Sequence, residues 1–239
     1  MPMPRTFAPR PGRPSWMTGC EYLVVVQDGA AVDVSGVRTP TPTGVAVDGD
    51  CLAPALPAPH QVALSPDLDW SAEPVLSCHF CMWWRAGQVN APTWVGKPSS
   101  NAISCLDPVL FSTWSQSVVG RVRFGDGTFT TVGAGVLSSP KPLDGEWFHL
   151  DAVFRLAGTG NRDWEVLHWR NGGALAPTLG SLAKDVYGLV PDPGLVAPSF
   201  PGVVATLGAV CCGCWRRELT RAEAAEVANT YRPAGATPI

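Results

Sequence analysis

Turn signals cut this chain into short pieces, and their spacing limits what it folds into. Asp28-Gly29, Asp48-Gly49-Asp50, Gly125-Asp126-Gly127 and Asn171-Gly172-Gly173 all supply residues that tolerate a positive φ. Between them lie runs rich in β-branched and aromatic residues: Tyr22–Gln27, Val45–Val47, Val75–Arg85, Val109–Trp114, Val118–Phe124, Thr128–Val132, Trp147–Phe154, Trp164–Trp169 and Leu207–Trp215. Strand-length runs at this spacing describe a sandwich or a barrel. Residues 52–68 hold four prolines and read as loop with at most an edge strand. Helical signal is confined to the C-terminus. There Thr220 and Glu223 form a capping box, Ala222–Val227 is good helix sequence, and Pro233 ends it. Strands alternating with helices are absent, so a parallel sheet is excluded. The expected class is all-β: an antiparallel sandwich with a short C-terminal helix.

The length, 239 residues, suits one large sandwich. The stretch to Trp16 stands apart, with five prolines, with Arg5, Arg10 and Arg13, and with no acid before Glu21. Proline fixes φ and removes donors, so this stretch is expected to be an extended arm over residues 1–19, with the sandwich in 20–239. A disordered tail is one reading. The other is an arm that orders on a neighbouring subunit through Arg5, Arg10, Arg13 and Trp16.

Net charge is −3, which argues against nucleic acid as the main partner. Charged residues are 15%, below the roughly 25% usual for soluble domains. Either a surface built for burial against partners or simply a large sandwich accounts for this. No apolar run reaches the ~18 residues of a membrane span, so no membrane insertion is expected. The proline-studded N-terminus lacks the apolar segment of a signal peptide. The expectation is synthesis in a cytoplasm and release by lysis or on a particle.

Along Trp147–Phe154, alternation sorts the side chains. Phe148, Leu150, Ala152 and Phe154 share an apolar face suited to a core. Trp147, His149, Asp151 and Val153 share a mixed face, expected to meet solvent or a neighbour. The eight cysteines include Cys78-x-x-Cys81 and Cys211-Cys212-Gly213-Cys214. Cysteines three apart on a strand point to opposite faces, which speaks against a shared metal. Buried thiols, disulfides and a metal site stay open, with thiols favoured by the non-secretory reading.

Four patterns occur in the order seen in laminin-G-like domains: Phe80–Arg85, Gly145–Val153 (GEWFHLDAV), Leu167–Gly172 (LHWRNG), and the ending from Leu207-Gly208 through Cys214–Glu223. Together they make residues 75–230 resemble that family, a concanavalin A-like jelly roll. The resemblance implies that the strand at Cys78–Arg85 lies beside the closing strand, bringing Cys78 or Cys81 near Cys211, Cys212 or Cys214. Calcium-dependent members of the family place acidic residues on rim loops. No such set is mapped onto this chain, so no cofactor is expected and calcium stays open as an alternative.

No G-x-S-x-G elbow and no glycine-rich phosphate loop is present. A sandwich-fold glycoside hydrolase needs paired carboxylates. The closest run, Asp67-Leu68-Asp69, lies in a proline-flanked loop with no matching glutamate. The reading is therefore a non-enzymatic structural or interaction protein. In its concrete form this is a bacteriophage virion component, a head decoration, fibre-associated or tail protein, that binds other virion proteins or copies of itself. The alternative is a lectin-like module for cell-surface glycans, with Trp94, Trp114 and Trp164 near loops as stacking platforms.

Overall fold

The computed structural model describes residues 12–55, 60–68, 70, 74–85, 104–108, 116–136, 145–189, 196–199 and 208–239. The first half holds β1 (Cys20–Gln27), β2 (Ala30–Asp33), β3 (Thr39–Thr43), β4 (Val45–Asp48), β5 (Cys51–Pro54), β6 (Gln61–Ser65), β7 (Ser77–Arg85), β8 (Ser104–Pro108) and β9 (Gln116–Phe124). The second holds β10 (Phe129–Val136), β11 (Trp147–Ala157), β12 (Asp163–Arg170), β13 (Gly173–Ala174), β14 (Thr178–Ser181), β15 (Val186–Leu189), β16 (Val196–Ser199) and β17 (Gly208–Trp215), followed by helix α1 (Arg221–Thr230).

Each turn singled out in the sequence reverses the chain. Asp28 and Gly29 take φ 51° and 75° between β1 and β2, and Asn171 and Gly172 take 48° and 75° between β12 and β13. Two expectations need correction. Residues 52–68 are not mainly loop, since β5 and β6 fall there. Pro54 closes β5 and Pro66 follows β6, so these two prolines flank the strands instead of interrupting them. Residues 12–19 are not extended throughout. Ser15–Met17 form a 3-10 turn that buries Trp16. The expected strand Val109–Trp114 lies outside the described residues.

All pairings among the described strands are antiparallel. The large sheet runs β13-β12-β11-β7-β17-β1-β2, with β14 on β12 and β5 on β17. Two smaller sheets, β10-β9-β15 and β16-β6-β3, complete the sandwich. The core between the layers takes Phe80, Met82 and Trp84 from β7, and Phe148, Leu150, Ala152 and Phe154 from β11. It closes on Val122 of β9, Val62 of β6 and Val186 of β15. The four β11 residues are the side chains that alternation assigned to its apolar face.

The other face of the large sheet is covered as well. Leu23, Cys81, Trp83, Val210, Cys211 and Trp215 pack there against Val227 and Ala228 of α1, with Trp16 beside them. A bulge between Val210 and Gly213, with Cys211 at φ 58°, keeps both Val210 and Cys211 on this outer face and turns Cys212 inward. A side chain at Gly213 would overlap the Trp215 ring, so close packing demands glycine there. The prediction that β7 and the closing strand are neighbours holds: Phe80 pairs with Cys214 and Cys81 with Gly213.

Candidate functional site

The capping box places the first reactive cluster. The Thr220 hydroxyl accepts from the Glu223 amide at 3.2 Å, and the Glu223 carboxylate accepts from the Thr220 amide at 2.9 Å. Hydrogen bonds from Arg217, opposed by partial burial and helped by the Thr220 amide, lower the Glu223 pKa to about 2. This start sets Arg221 over the sheet. Its guanidinium donates to Asp151 Oδ2 at 2.8 Å and stacks 4.1 Å from the Trp169 ring centre. Asp151 also meets His79 Nε2 at 3.1 Å and His149 Nδ1 at 3.5 Å. Because His79 Nδ1 accepts from the Leu219 amide at 3.2 Å, its proton sits on Nε2 and is given to Asp151.

So Asp151 and His149, expected at solvent or at a neighbour, are buried beneath the chain's own helix, at 1% and 0% exposure. Burial opposes charge on His149, but the Asp151 carboxylate and the Cys81 thiol outweigh it and raise its pKa to about 9. Burial also opposes charge on Asp151, yet the two histidines hold its pKa well below the usual carboxylate range.

Cys81, His149 and Asp151 form a nucleophile–base–acid sequence in type. They do not work as one. Burial first, and then Cys211, push the Cys81 thiol well above its ordinary pKa, which keeps it protonated and closed to solvent. Seven of the eight cysteines, Cys20, Cys51, Cys78, Cys81, Cys211, Cys212 and Cys214, are free thiols. Cys78 faces the inner core and Cys81 the outer one, as strand alternation requires. Among the described residues no three histidines, cysteines or acids are grouped to hold a metal.

Among the described residues, concave places lie open at the strand ends and on the outer face of the large sheet. The first, at the strand ends, has a volume of 540 Å³ and is lined by Arg85, Glu146, Trp147, Asn171 and the tail segment that includes Thr237. Arg85 and Trp147 are directly paired across β7 and β11, and the guanidinium lies 5.7 Å from the indole centre. The tail wall is pinned at both ends. The Ala234 amide donates to Asp50 at 2.5 Å, and Asn229 exchanges two hydrogen bonds with Ile239 at 2.7 and 3.1 Å.

The second is a 610 Å³ groove on the outer face of β11, β12 and β14, lined by Arg155, Asp163, Glu165, Leu179 and Ser181 among others. Asp163 and Glu165 thus share a groove, and a glycoside hydrolase would need two such carboxylates free to act. Glu165 is committed to Arg155 at 2.9 Å, and Arg155 also grips Glu218 at 2.6 Å.

Of the residues expected to contact partners, Arg5 and Arg10 lie outside the described residues. Arg13 donates to the Ser35 carbonyl at 3.4 Å. Trp16 is 3% exposed, and in this fold it is an internal anchor. Its indole donates to Glu226 at 3.1 Å, its ring meets Tyr231 edge-on, and its carbonyl accepts from the Trp215 indole at 2.6 Å. Of the stacking candidates, Trp94 and Trp114 lie outside the described residues. Trp164 lines the second groove, but it sits in β12 and packs partly against the inner core. Its indole lies over Gly180, where a side chain would overlap it.

Solved structures share this architecture. The binding domain of Paraclostridial Mosquitocidal Protein 1 superposes with a TM-score of 0.60 at 13% identity, over 91% of this chain and 52% of that one. A botulinum neurotoxin serotype D/C binding domain gives 0.60 at 9%, over 91% and 53%. The same kind of domain bound to SialylT gives 0.58 at 9%, over 90% and 52%. At such identity the likeness is one of fold, and the chain spans about half the length of each neighbour. No protein-family model and no curated protein sequence matches the chain.

Nothing in the sequence foretells the first groove. Trp147 reads as a packing residue in its strand, Asn171 as a turn residue, and Arg85 and Thr237 carry no signal of a groove. Only the tail folding back across the strand ends brings them together. No described helix is long and apolar enough to cross a membrane.

Proposed function

We propose that this chain is a non-enzymatic binding module that works by attachment. Its concrete form is a bacteriophage virion component, decorating a head, fibre or tail and held by other virion proteins or by copies of itself. The observation that carries the reading is the architecture, which the chain shares over nine-tenths of its length with a toxin binding domain and a neurotoxin receptor-binding domain. The sealed cysteine and histidine cluster supports it, because the strongest nucleophile–base arrangement on the described residues meets no solvent. The low charge and the proline- and arginine-rich start add support from the sequence.

Native mass spectrometry of the purified protein, with and without residues 1–11, tests it. The expected result is a homo-oligomer, or retention on particles, that weakens when those residues are removed. A monomer that binds no particle and is indifferent to the truncation overturns it.

A second reading, binding of cell-surface glycans, is favoured by the aromatic and polar lining of the groove at the strand ends. Neighbours of the same fold bind SialylT and rat synaptotagmin II. A glycan array run with calcium and with chelator tests this reading, and an array blank in both sinks it.

A further inference from the structure

We infer that the groove between Arg85, Trp147 and the C-terminal tail is a saccharide site, and that its ligand is a neutral pyranose. The inference rests on the binding-module reading above and assigns a place and a ligand class within it.

The argument starts from what the lining offers. Trp147 gives one aromatic surface at the groove, half-buried at the start of β11, backed by the outer core and shared with the Arg85 guanidinium, which lies 5.7 Å over its ring. Around it stand a guanidinium, a carboxylate, an amide and a hydroxyl, from Arg85, Glu146, Asn171 and Thr237. A pyranose has the matching chemistry, with an apolar C–H face and a rim of hydroxyls that both donate and accept. Planar polar groups bind vicinal hydroxyls two at a time, and an indole takes the C–H face.

Other ligand classes fit less well. A phosphate or nucleotide needs an excess of cations, whereas here Arg85 is balanced by Glu146 and by Asp48, 3.5 Å from its guanidinium. The same balance disfavours a sugar acid. A lipid tail or an apolar peptide needs more apolar wall than one indole supplies. The volume, 540 Å³, is enough for one or two sugar units.

The site is also held in shape before any ligand arrives. Asn171 is fixed because its Oδ1 accepts from the His149 amide at 2.8 Å, which leaves its NH2 group for other partners. The tail wall is clamped by Asp50 and Asn229. Two elements distant in sequence, the Asn171 turn and the tail, are thus each positioned by bonds that do not involve a ligand, and pre-organisation of this kind spares ordering cost on binding.

The test titrates the full chain with the methyl glycosides of glucose, galactose and mannose. The readout is the backbone and indole N–H signals in heteronuclear NMR, with sialyllactose as the acidic comparison. The expected result is a shift of the Trp147 indole signal, assigned by Trp147→Phe, with at least one neutral glycoside. Glu146→Gln combined with Thr237→Ala should weaken that binding at least tenfold at an unchanged melting temperature. Leu179→Lys, in the other groove, should leave it unaltered. Neutral-sugar binding that survives the Glu146/Thr237 pair overturns the site and leaves the binding-module reading standing. Binding of sialyllactose alone overturns the ligand class. No response to any sugar from a protein that still assembles overturns the site without touching the assembly reading.

Discussion

At β7, β11 and β17 the two faces of the large sheet are both buried, yet they are buried by different means. The inner face is aliphatic and aromatic, and it packs on strands of the other layer. The outer face carries His79, Asp151 and His149 among its apolar residues, and α1 and the Trp16 segment cover it. Apolar packing is non-directional, so the inner face asks chiefly for volume and pattern. The outer face asks for particular partners, because a buried polar group without one costs heavily. One β-strand, β11, serves both regimes on alternate residues.

The largest effect expected from this contrast comes from Asp151→Asn. The substitution keeps the shape and removes the charge that serves His79, His149 and Arg221, and uncompensating a buried pair costs roughly 3–5 kcal/mol. On the inner face, Leu150→Met keeps volume and should cost less than about 1.5 kcal/mol. Urea denaturation measures both. Equal costs would erase the distinction between the faces.

Next comes pH. The Asp151 pKa is depressed in the fold, so its contribution is present above the unfolded value near ~4 and is lost as pH falls below it. The His149 pKa is raised to about 9, so its contribution is full below its unfolded pKa near 6.5 and is lost as pH rises through 9. That loss is on the order of 3 kcal/mol, because each tenfold change in proton affinity is worth about 1.36 kcal/mol. The melting temperature should therefore be highest between about pH 4 and 6.5 and should fall towards pH 9. Asp151→Asn should flatten both limbs. A wild-type profile unchanged in the variant would remove Asp151 as the origin.

The same contrast explains what is legible in the sequence. The inner face, the hairpin turns and the capped helix follow from period-two alternation, Asn-Gly or Asp-Gly pairs and the Thr220/Glu223 spacing, and the neighbouring of β7 and β17 follows from the motif order that resembles laminin-G-like domains. These are local signals, or signals ordered along the chain. The outer face is not legible in this way. Trp16 meets Glu226 across 210 residues, and the Trp83 indole meets the Ala228 carbonyl across 145. No spacing rule connects such positions, so a buried Asp151 reads as a surface residue and a buried Trp16 as part of a free arm. The groove at the strand ends escapes the sequence for the same reason, since the tail wall exists only once α1 has docked. Trp164 reads as a residue near a loop because Gly180, which lets the indole lie flat, belongs to a different strand.

A smaller effect tests how the cover is started. Thr220→Ala removes the cap acceptor for the Glu223 amide and should cost about 1 kcal/mol. Arg221 is the first residue of the same helix, so the variant should also blunt the basic limb of the pH profile. A loss of stability with the pH profile intact would separate helix capping from the polar cluster.

The smallest effect belongs where the outer face is left uncovered. Leu179 is 67% exposed on β14, directly opposite Glu165. Leu179→Lys exchanges an exposed apolar side chain for a cation facing a carboxylate, and substitutions at such surfaces usually stay within ~0.5 kcal/mol. Val153, on the same face of the sheet but beneath the cover, is wholly buried. Val153→Lys would put an unpaired charge there and should prevent folding at ordinary temperature. The two positions share the outer face and differ in whether cover lies above the sheet. If Leu179→Lys were as damaging as Val153→Lys in thermal denaturation, the second groove would be a closed part of the fold, and the outer face would be polar-sensitive throughout.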